Sequence, residues 1–98
     1  MMTHVVLIQP KVSTTNEQLT AFLQRVLALQ QVIPGILSIS VGENRSDFQG
    51  GFTHGIIIRF VDEVHLQAHH THPDHVAIVT ELDHLCRQSI DFDLPETD

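Results

Sequence analysis

The segment ILSISVGENRSDFQGGFTHGIIIRF (residues 36–60) decides the fold, because it contains two strand patterns separated by a loop. Residues 36–42 alternate between apolar and small polar side chains, which predicts a strand with one buried face. Residues 43–51 are polar and end in two glycines, as expected of a loop between strands. Residues 52–60 form the next predicted strand. The residues predicted to share the buried faces are Leu37, Ile39 and Val41 on the first strand, and His54, Ile56, Ile58 and Phe60 on the second.

One strand and one helix are predicted on the N-terminal side of this pair. The run THVVLIQP (3–10) is apolar and β-branched up to its proline, which is typical of a strand, and both of its faces are apolar. Thr14 and Glu17 form the T-x-x-E capping pattern that starts a helix, and Pro34-Gly35 is expected to end it. The apolar stripe of this helix is Leu19, Phe22, Leu23, Val26, Leu27 and Ile33.

Two helical segments and a final strand are predicted on the C-terminal side. Asp62 is the expected cap of a short helix that runs to about His70, and Pro73 suits the first turn of the next helix. Residues 89–94 alternate again and predict the last strand, whereas 95–98 are expected to fray. The apolar side of the second long helix is Val76, Val79, Leu82, Leu85 and Cys86. The alternation in the last strand sets Ile90, Phe92 and Leu94 against Ser89, Asp91 and Asp93.

The predicted element order is β-α-β-β-α-β, with the second helical region broken at Pro73. This order is typical of an α+β ferredoxin-like fold, in which a four-stranded antiparallel sheet carries its helices on one face. The length of 98 residues fits a single domain over 1–98. Because both faces of the first strand are apolar, the face of the sheet opposite the helices must also be buried by other residues. A second copy of the same sheet provides it, so we expect a symmetric homodimer through the sheet face.

Composition excludes several classes of function. Hydrophobic residues make up 42% and charged residues 17%, as in a globular protein, and the formal net charge is −7. The basic residues are scattered, so we expect no nucleic-acid partner. No apolar run approaches the roughly 18 residues of a membrane span, and we expect no signal peptide. Cys86 is the only cysteine, which agrees with a cytoplasmic location.

Four histidines fall within HHTHPDHV (69–76), and this density allows three interpretations. A metal could be bound by His65, His69, His72 and His75, which follow one another at intervals of four, three and three residues. Pro73 interrupts the helix that would align them, and neither a cysteine pair nor an H-E-x-x-H motif is present, so we predict no metal site. Proton transfer by imidazole in a pocket and a purely structural, hydrogen-bonded role are the other interpretations.

Short motifs in residues 42–76 resemble those of a known family, the stress-responsive A/B barrel domain. The matching motifs are Gly42 and Asn44 after the second strand, GFTHG (51–55) and HPDHV (72–76), together with His4 and IPGI (33–36). The resemblance covers nearly the whole chain and implies a dimeric α+β barrel. Polyketide-cyclase members of this family close a linear poly-β-keto chain by aldol condensation without a metal or a cofactor, so the resemblance implies no cofactor here.

The resemblance also implies roles for individual residues. The family's general base falls on His75, and two further pocket histidines fall on His4 and His54. Tyrosines that the cyclases use fall on His69 and Val26, and this chain contains no tyrosine. Ser89 and Asp91 stand where the cyclases have aliphatic residues. The predicted catalytic residues are therefore His75, His4 and His54, and the predicted substrate-binding residues are His69, His72, Phe22, Val26 and Ile56.

Two functions are therefore predicted as alternatives. The first is a small-molecule pocket lined by histidines, with possible cofactor-free acid/base chemistry on a small hydrophobic or carbonyl ligand. Burial would keep these imidazoles neutral, as a base requires. The second is a structural or stress-protective oligomer without a substrate. The remaining histidines, His65, His70 and His84, are predicted to face solvent.

Overall fold

The computed structural model describes residues 1–96, which form one antiparallel sheet with helices packed on one of its faces. The strands are β1 (Met2–Pro10), β2 (Ile36–Glu43), β3 (His54–Phe60) and β4 (Cys86–Pro95), and their order in the sheet is β2-β3-β1-β4. The helices are α1 (Asn16–Ala28), α2 (Glu63–His69) and α3 (Pro73–Leu85), with a short 3₁₀ turn at Leu29–Gln31. This confirms the ferredoxin-like fold. No helix among residues 1–96 has the length and apolar character needed to cross a membrane.

The helices begin close to the predicted positions, with one difference at α1. Asp62 caps α2 by accepting a hydrogen bond from the backbone N–H of His65, and Pro73 is the first residue of α3, both as predicted. The capping box of α1 consists of Thr15 and Gln18, one residue later than the predicted pair. Thr14 instead donates its hydroxyl to the carbonyl of Leu85 and so ties the start of α1 to the end of α3.

The end of α1 and the burial of Leu37 differ from prediction. The α-helix stops at Ala28, and the 3₁₀ turn carries the chain towards Pro34-Gly35. The register of β2 with β3 shifts between Ile36 and Ser38, and Leu37 is 44% exposed. A bulge turns one side chain away from the face that strict alternation assigns to it, and this explains why the prediction for Leu37 was wrong.

Residues 95 and 96 are more ordered than expected. Pro95 pairs with Met2 at the end of the sheet, and the backbone N–H of Glu96 donates to the carbonyl of Met1. The carboxylate of Glu96 accepts hydrogen bonds from Arg59 and from the hydroxyl of Thr3. The predicted fraying is therefore wrong at residues 95 and 96, and residues 97 and 98 lie outside the described residues.

The core lies between the helices and the inner face of the sheet. Antiparallel pairing of β1 with β3 places Met2, His4, Val6 and Ile8 opposite the alternate residues of β3, so one apolar face meets α1 and α2. Cys86 is buried in this core, as predicted. The buried side chains are Met2, Ile8, Leu19, Phe22, Leu23, Val26, Ile56, Ile58, Phe60, Leu66, Leu85 and Cys86.

The outer face of the sheet is apolar, and no helix of the described part of the chain packs on it. Val5 and Leu7 of β1 lie opposite Phe92 and Ile90 of β4, and Val5 also lies opposite Ile57 of β3. The apolar side chains of this face that remain at least two-fifths exposed are Ile57, Ile90, Phe92 and Leu94. A contiguous exposed apolar patch of this kind is typical of an interaction surface.

Candidate functional site: a histidine-lined cavity

A cavity of about 420 Å³ lies between the inner face of the sheet and helix α3. Its volume falls in the range of small-molecule sites, which is roughly 300–1,000 Å³. The apolar part of its wall comes from both layers and includes Val6, Val26, Ile56, Ile58, Val79 and Leu82. His4, His70 and His75 line one end of the cavity. Asp83 also lines it, eight residues after His75 on α3 and therefore about 12 Å from it along the helix axis. The cavity therefore has an imidazole end and an apolar body.

His4 is held by a carboxylate from the neighbouring strand. The register of β1 with β4 places His4 directly opposite Asp93. The Nδ1–H of His4 donates to Oδ1 of Asp93 over 2.6 Å, and His4 is almost completely buried. Because Nδ1 carries the proton in this bond, Nε2 holds the free lone pair in the neutral form of the ring. A carboxylate in this position fixes the orientation and the tautomer of the ring.

His75 lies in the first turn of α3 and is half-buried. Its Nδ1–H donates to the backbone carbonyl of His70 over 3.3 Å, so its lone pair also lies on Nε2. Burial lowers the pKa of His75, and this effect outweighs the hydrogen bond to His70, which acts in the opposite direction. His75 is therefore neutral near neutral pH, which is the state required of a base.

His69, the last residue of α2, lies behind these two rings and is only 2% exposed. Its Nδ1–H donates to the backbone carbonyl of Leu66, whereas its Nε2 is buried and finds no hydrogen-bond partner among residues 1–96. Its ring centroid lies 4.3 Å from that of His75, 4.7 Å from that of Phe60 and 5.3 Å from that of His4. Burial is the main cause that lowers the pKa of His69 to about 4.

The three imidazoles of His4, His69 and His75 share one arrangement. In each ring Nδ1 is bound to an oxygen of the protein, and Nε2 is left with its lone pair. Backbone carbonyls hold two of the rings, and a carboxylate holds the third. Rings fixed in this way are prepared to accept a proton, to donate a hydrogen bond once protonated, or to bind a metal ion.

The model of one protein family, the stress-responsive A/B barrel domain, matches residues 2–95. This match spans β1 to β4 and includes the whole cavity. The chain belongs to the stress-responsive A/B barrel domain family. No curated protein matches the chain.

Solved structures similar to this member of the A/B barrel family confirm the fold. Protein At3g17210 of Arabidopsis thaliana has a TM-score of 0.93 at 20% identity, and the match covers 100% of this chain and 97% of that one. A dimeric ferredoxin-like protein of unknown function from Jannaschia has a TM-score of 0.86 at 22% identity, with coverage of 97% and 98%. The hydroxynitrile lyase of Passiflora edulis has a TM-score of 0.88 at 18% identity, with coverage of 99% and 95%.

The cavity brings together some of the residues predicted from the family resemblance. His4, His75, Val26 and Ile56 line it. His69 lies directly behind its imidazole end and contacts the rings of His4 and His75.

The other predicted site residues lie outside the lining. Phe22 is fully buried in the core, and His72 caps α3 by accepting the backbone N–H of Asp74 on its Nδ1. His54 pairs with Ile8, four residues along β1 from His4, so the backbone positions of the two histidines are about 13 Å apart along the strands, and His54 does not line the cavity. The expected convergence of His54 with His4 and His75 is therefore wrong, because the register of β1 with β3 places them at different positions along the strands.

Two residues of the site were missed by the sequence analysis. His70 was predicted to face solvent, and it is exposed, but it also lines the cavity and its carbonyl holds His75. Asp93 was placed only in the alternation of the last strand, whereas it orients His4. The ferredoxin-like order predicts that β4 is next to β1, but the register that pairs Asp93 with His4 cannot be derived from alternation alone.

Proposed function

We propose that the cavity binds a small carbonyl compound and that its imidazole end transfers protons to and from it. The observation that carries this proposal is the shared arrangement of His4 and His75, whose Nδ1 atoms are bound to protein oxygens and whose rings line the cavity. The chemistry requires no cofactor, because imidazole exchanges protons near neutral pH.

The two rings take different roles in this proposal. Nε2 of His75 removes a proton from the carbon next to the carbonyl group, since its lowered pKa keeps it neutral. The electron pair of the broken C–H bond moves to the carbonyl oxygen and forms an enolate. His4, whose ring is fixed by its hydrogen bond to Asp93, lies at the same end of the cavity and orients the carbonyl compound beside His75. The enolate carbon then attacks a second carbonyl carbon in an aldol reaction, or takes the proton back.

The hydroxynitrile lyase of the same fold supports this class of reaction. Cleavage of a hydroxynitrile yields a carbonyl compound and cyanide once a proton has left the hydroxyl group. That reaction and the one proposed here both need a base near an oxygen that changes charge. The likeness is one of fold, so it supports the class of reaction and not a particular substrate.

Hydrogen–deuterium exchange in a ketone tests the proposal directly. Methyl pentyl ketone is incubated with the EDTA-treated protein in D₂O, and loss of the signal from the protons next to its carbonyl is followed by proton NMR. We expect exchange faster than in buffer, and we expect His75→Asn to reduce it to the buffer rate. His84→Asn serves as the control, because His84 is exposed on α3 away from the cavity. Exchange that is no faster than in buffer, or equal in both variants, contradicts the proposal and favours the alternative of a structural oligomer.

The proposal also includes a homodimer formed through the outer face of the sheet. The apolar and exposed face with Ile57, Ile90 and Phe92 supports it, as does the dimeric state of similar proteins. Phe92→Asp should produce monomers in analytical ultracentrifugation, whereas Val64→Asp, at an exposed site on α2, should leave dimers. A monomeric wild-type protein contradicts this part of the proposal. A cytoplasmic location remains a prediction from the single cysteine.

A further inference from the structure

The geometry points to a binding site for one divalent transition-metal ion of the Zn²⁺ class at His69, His70 and His75. Each ring offers one nitrogen, and the three nitrogens lie within 4.8 Å of one another. This set differs from the four histidines considered in the sequence, because the break between α2 and α3 brings consecutive residues 69 and 70 against the first turn of α3. The inference goes beyond the proposed function, which needs no metal.

The unpaired Nε2 of His69 is the observation that indicates a ligand. A polar atom buried without a partner costs about 1–3 kcal/mol, so native proteins normally pair such atoms. This nitrogen carries a lone pair, since Nδ1 of the same ring donates to the carbonyl of Leu66. A metal ion held between His69, His70 and His75 would satisfy it.

The surroundings of the rings are those of a metal site. Histidine ligands usually donate their second ring N–H to a carbonyl or a carboxylate, which fixes the ring and the tautomer. His69 and His75 already do this, through the carbonyls of Leu66 and His70 respectively. The third ring, His70, is exposed and makes no side-chain hydrogen bond within residues 1–96, so it is free to rotate.

The distances require only a small adjustment. Zinc–nitrogen bonds of about 2.0–2.1 Å in a tetrahedral site place the nitrogens roughly 3.4 Å apart. Bringing the nitrogens from their present spacing to this one takes a movement of less than about 1.5 Å. The fourth coordination position opens towards the cavity, because His70 and His75 both line it.

The donor set selects the type of ion. Three neutral imidazoles suit Zn²⁺, Co²⁺, Ni²⁺ and Cu²⁺, whereas Mg²⁺ and Ca²⁺ prefer oxygen ligands. The formal net charge of −7 further favours a cation. The neighbouring histidines are engaged elsewhere, since His65 is bound to Asp62 and His72 caps α3.

Binding of the ion would compete with the proposed proton transfer. The metal takes the lone pair on Nε2 of His75, which the proposed base needs. Occupancy of the cluster therefore removes the base at the imidazole end of the cavity, and Zn²⁺ should inhibit ketone exchange.

Titration of the EDTA-stripped and dialysed protein tests the site without any substrate. We expect one equivalent of Co²⁺ to give the visible absorption of a tetrahedral complex, and calorimetry to give one equivalent of Zn²⁺. His70→Ala should weaken Zn²⁺ binding at least about tenfold, the lower end of what loss of even an outer partner costs. His84→Ala is the matched control and should bind as the wild type does. His70 and His84 are both exposed, so thermal melting should show both variants folded.

The outcomes separate this inference from the proposed function. Absence of stoichiometric binding, or equal weakening in both variants, overturns the metal site. Metal binding without ketone exchange supports the metal site and contradicts the proposed function. Ketone exchange in a protein that binds no metal supports the proposed function and contradicts the metal site.

Discussion

The neutral state of buried His69 should make the stability of the metal-free protein depend on pH. The pKa of this ring is lowered from 6.5 to about 4, mainly by burial, and the rings of His4, His70 and His75 face it. Between these two values the unfolded chain binds the proton and the native protein does not. Stability is therefore unaffected above about pH 6.5, falls as the pH drops towards 4, and changes no further below that.

The magnitude follows from the size of the shift. One unit of pKa corresponds to about 1.4 kcal/mol, so the full effect of His69 is about 3 kcal/mol. Lowering the pH from about 7.5 to about 5 should cost about 2 kcal/mol of unfolding free energy through this group alone. That is a large share of the roughly 5–15 kcal/mol typical of native proteins. The lowered pKa of His75 acts in the same direction.

Urea unfolding of the protein in EDTA, followed by circular dichroism at both pH values, measures this loss. His69→Gln should reduce the pH dependence by about 2 kcal/mol, because an amide can donate to the carbonyl of Leu66 but cannot take up a proton. His84→Gln should leave the pH dependence as in the wild type, since His84 is exposed in the native protein. If His69→Gln does not fold, an NMR titration of His69 in the wild-type protein measures the same pKa directly. An unchanged slope in His69→Gln, or a measured pKa near 6.5, refutes the reasoning.

Three further predictions concern Gly35 before strand β2, the carboxylate of Asp93 and the cavity. Gly35→Ala should destabilise the protein by at least about 1 kcal/mol in urea unfolding, because Gly35 has φ +86° and a β-carbon there would overlap the ring of His65; an unchanged midpoint contradicts this. Asp93→Asn should slow ketone exchange by up to about a hundredfold while the melting temperature changes little, because the ring of His4 loses its fixed orientation; full exchange in this variant would show that His4 needs no carboxylate. Val79→Phe should abolish ketone binding in NMR shift titrations without unfolding the chain, because Val79 lines the cavity and is 40% exposed; binding at wild-type strength would place the ligand elsewhere.

The fold could be predicted from the sequence because alternation and capping are local signals. The period-two patterns of 36–42 and 52–60, and Pro73 at the start of α3, indicate elements without knowledge of their neighbours. The bulge that exposes Leu37 could not be predicted, since it depends on how β2 pairs with β3. The order of residues 95 and 96 likewise depends on contacts of Glu96 with distant residues.

The site could be predicted only in part, because contacts between residues that are distant in the sequence decide which side chains meet. The family resemblance pointed to His4 and His75, which do line one cavity. The register of β1 with β4 pairs Asp93 with His4, and the register of β1 with β3 places His54 away from His4. The turn between α2 and α3 decides that His70, and not His72, accompanies His69 and His75.

Direct observation of the tautomers of the imidazole rings tests the central claim, which is that His4, His69 and His75 present the lone pair of Nε2. Long-range proton–nitrogen correlation NMR of the ¹⁵N-labelled, metal-free protein at about pH 7.5, where neutral histidine dominates, separates a protonated nitrogen from a bare one. The account predicts protonated Nδ1 and bare Nε2 for all three rings, the reverse of the form that free histidine favours in water. Signals of the ordinary tautomer with a protonated Nε2, or of rapid exchange between the two forms, would contradict it.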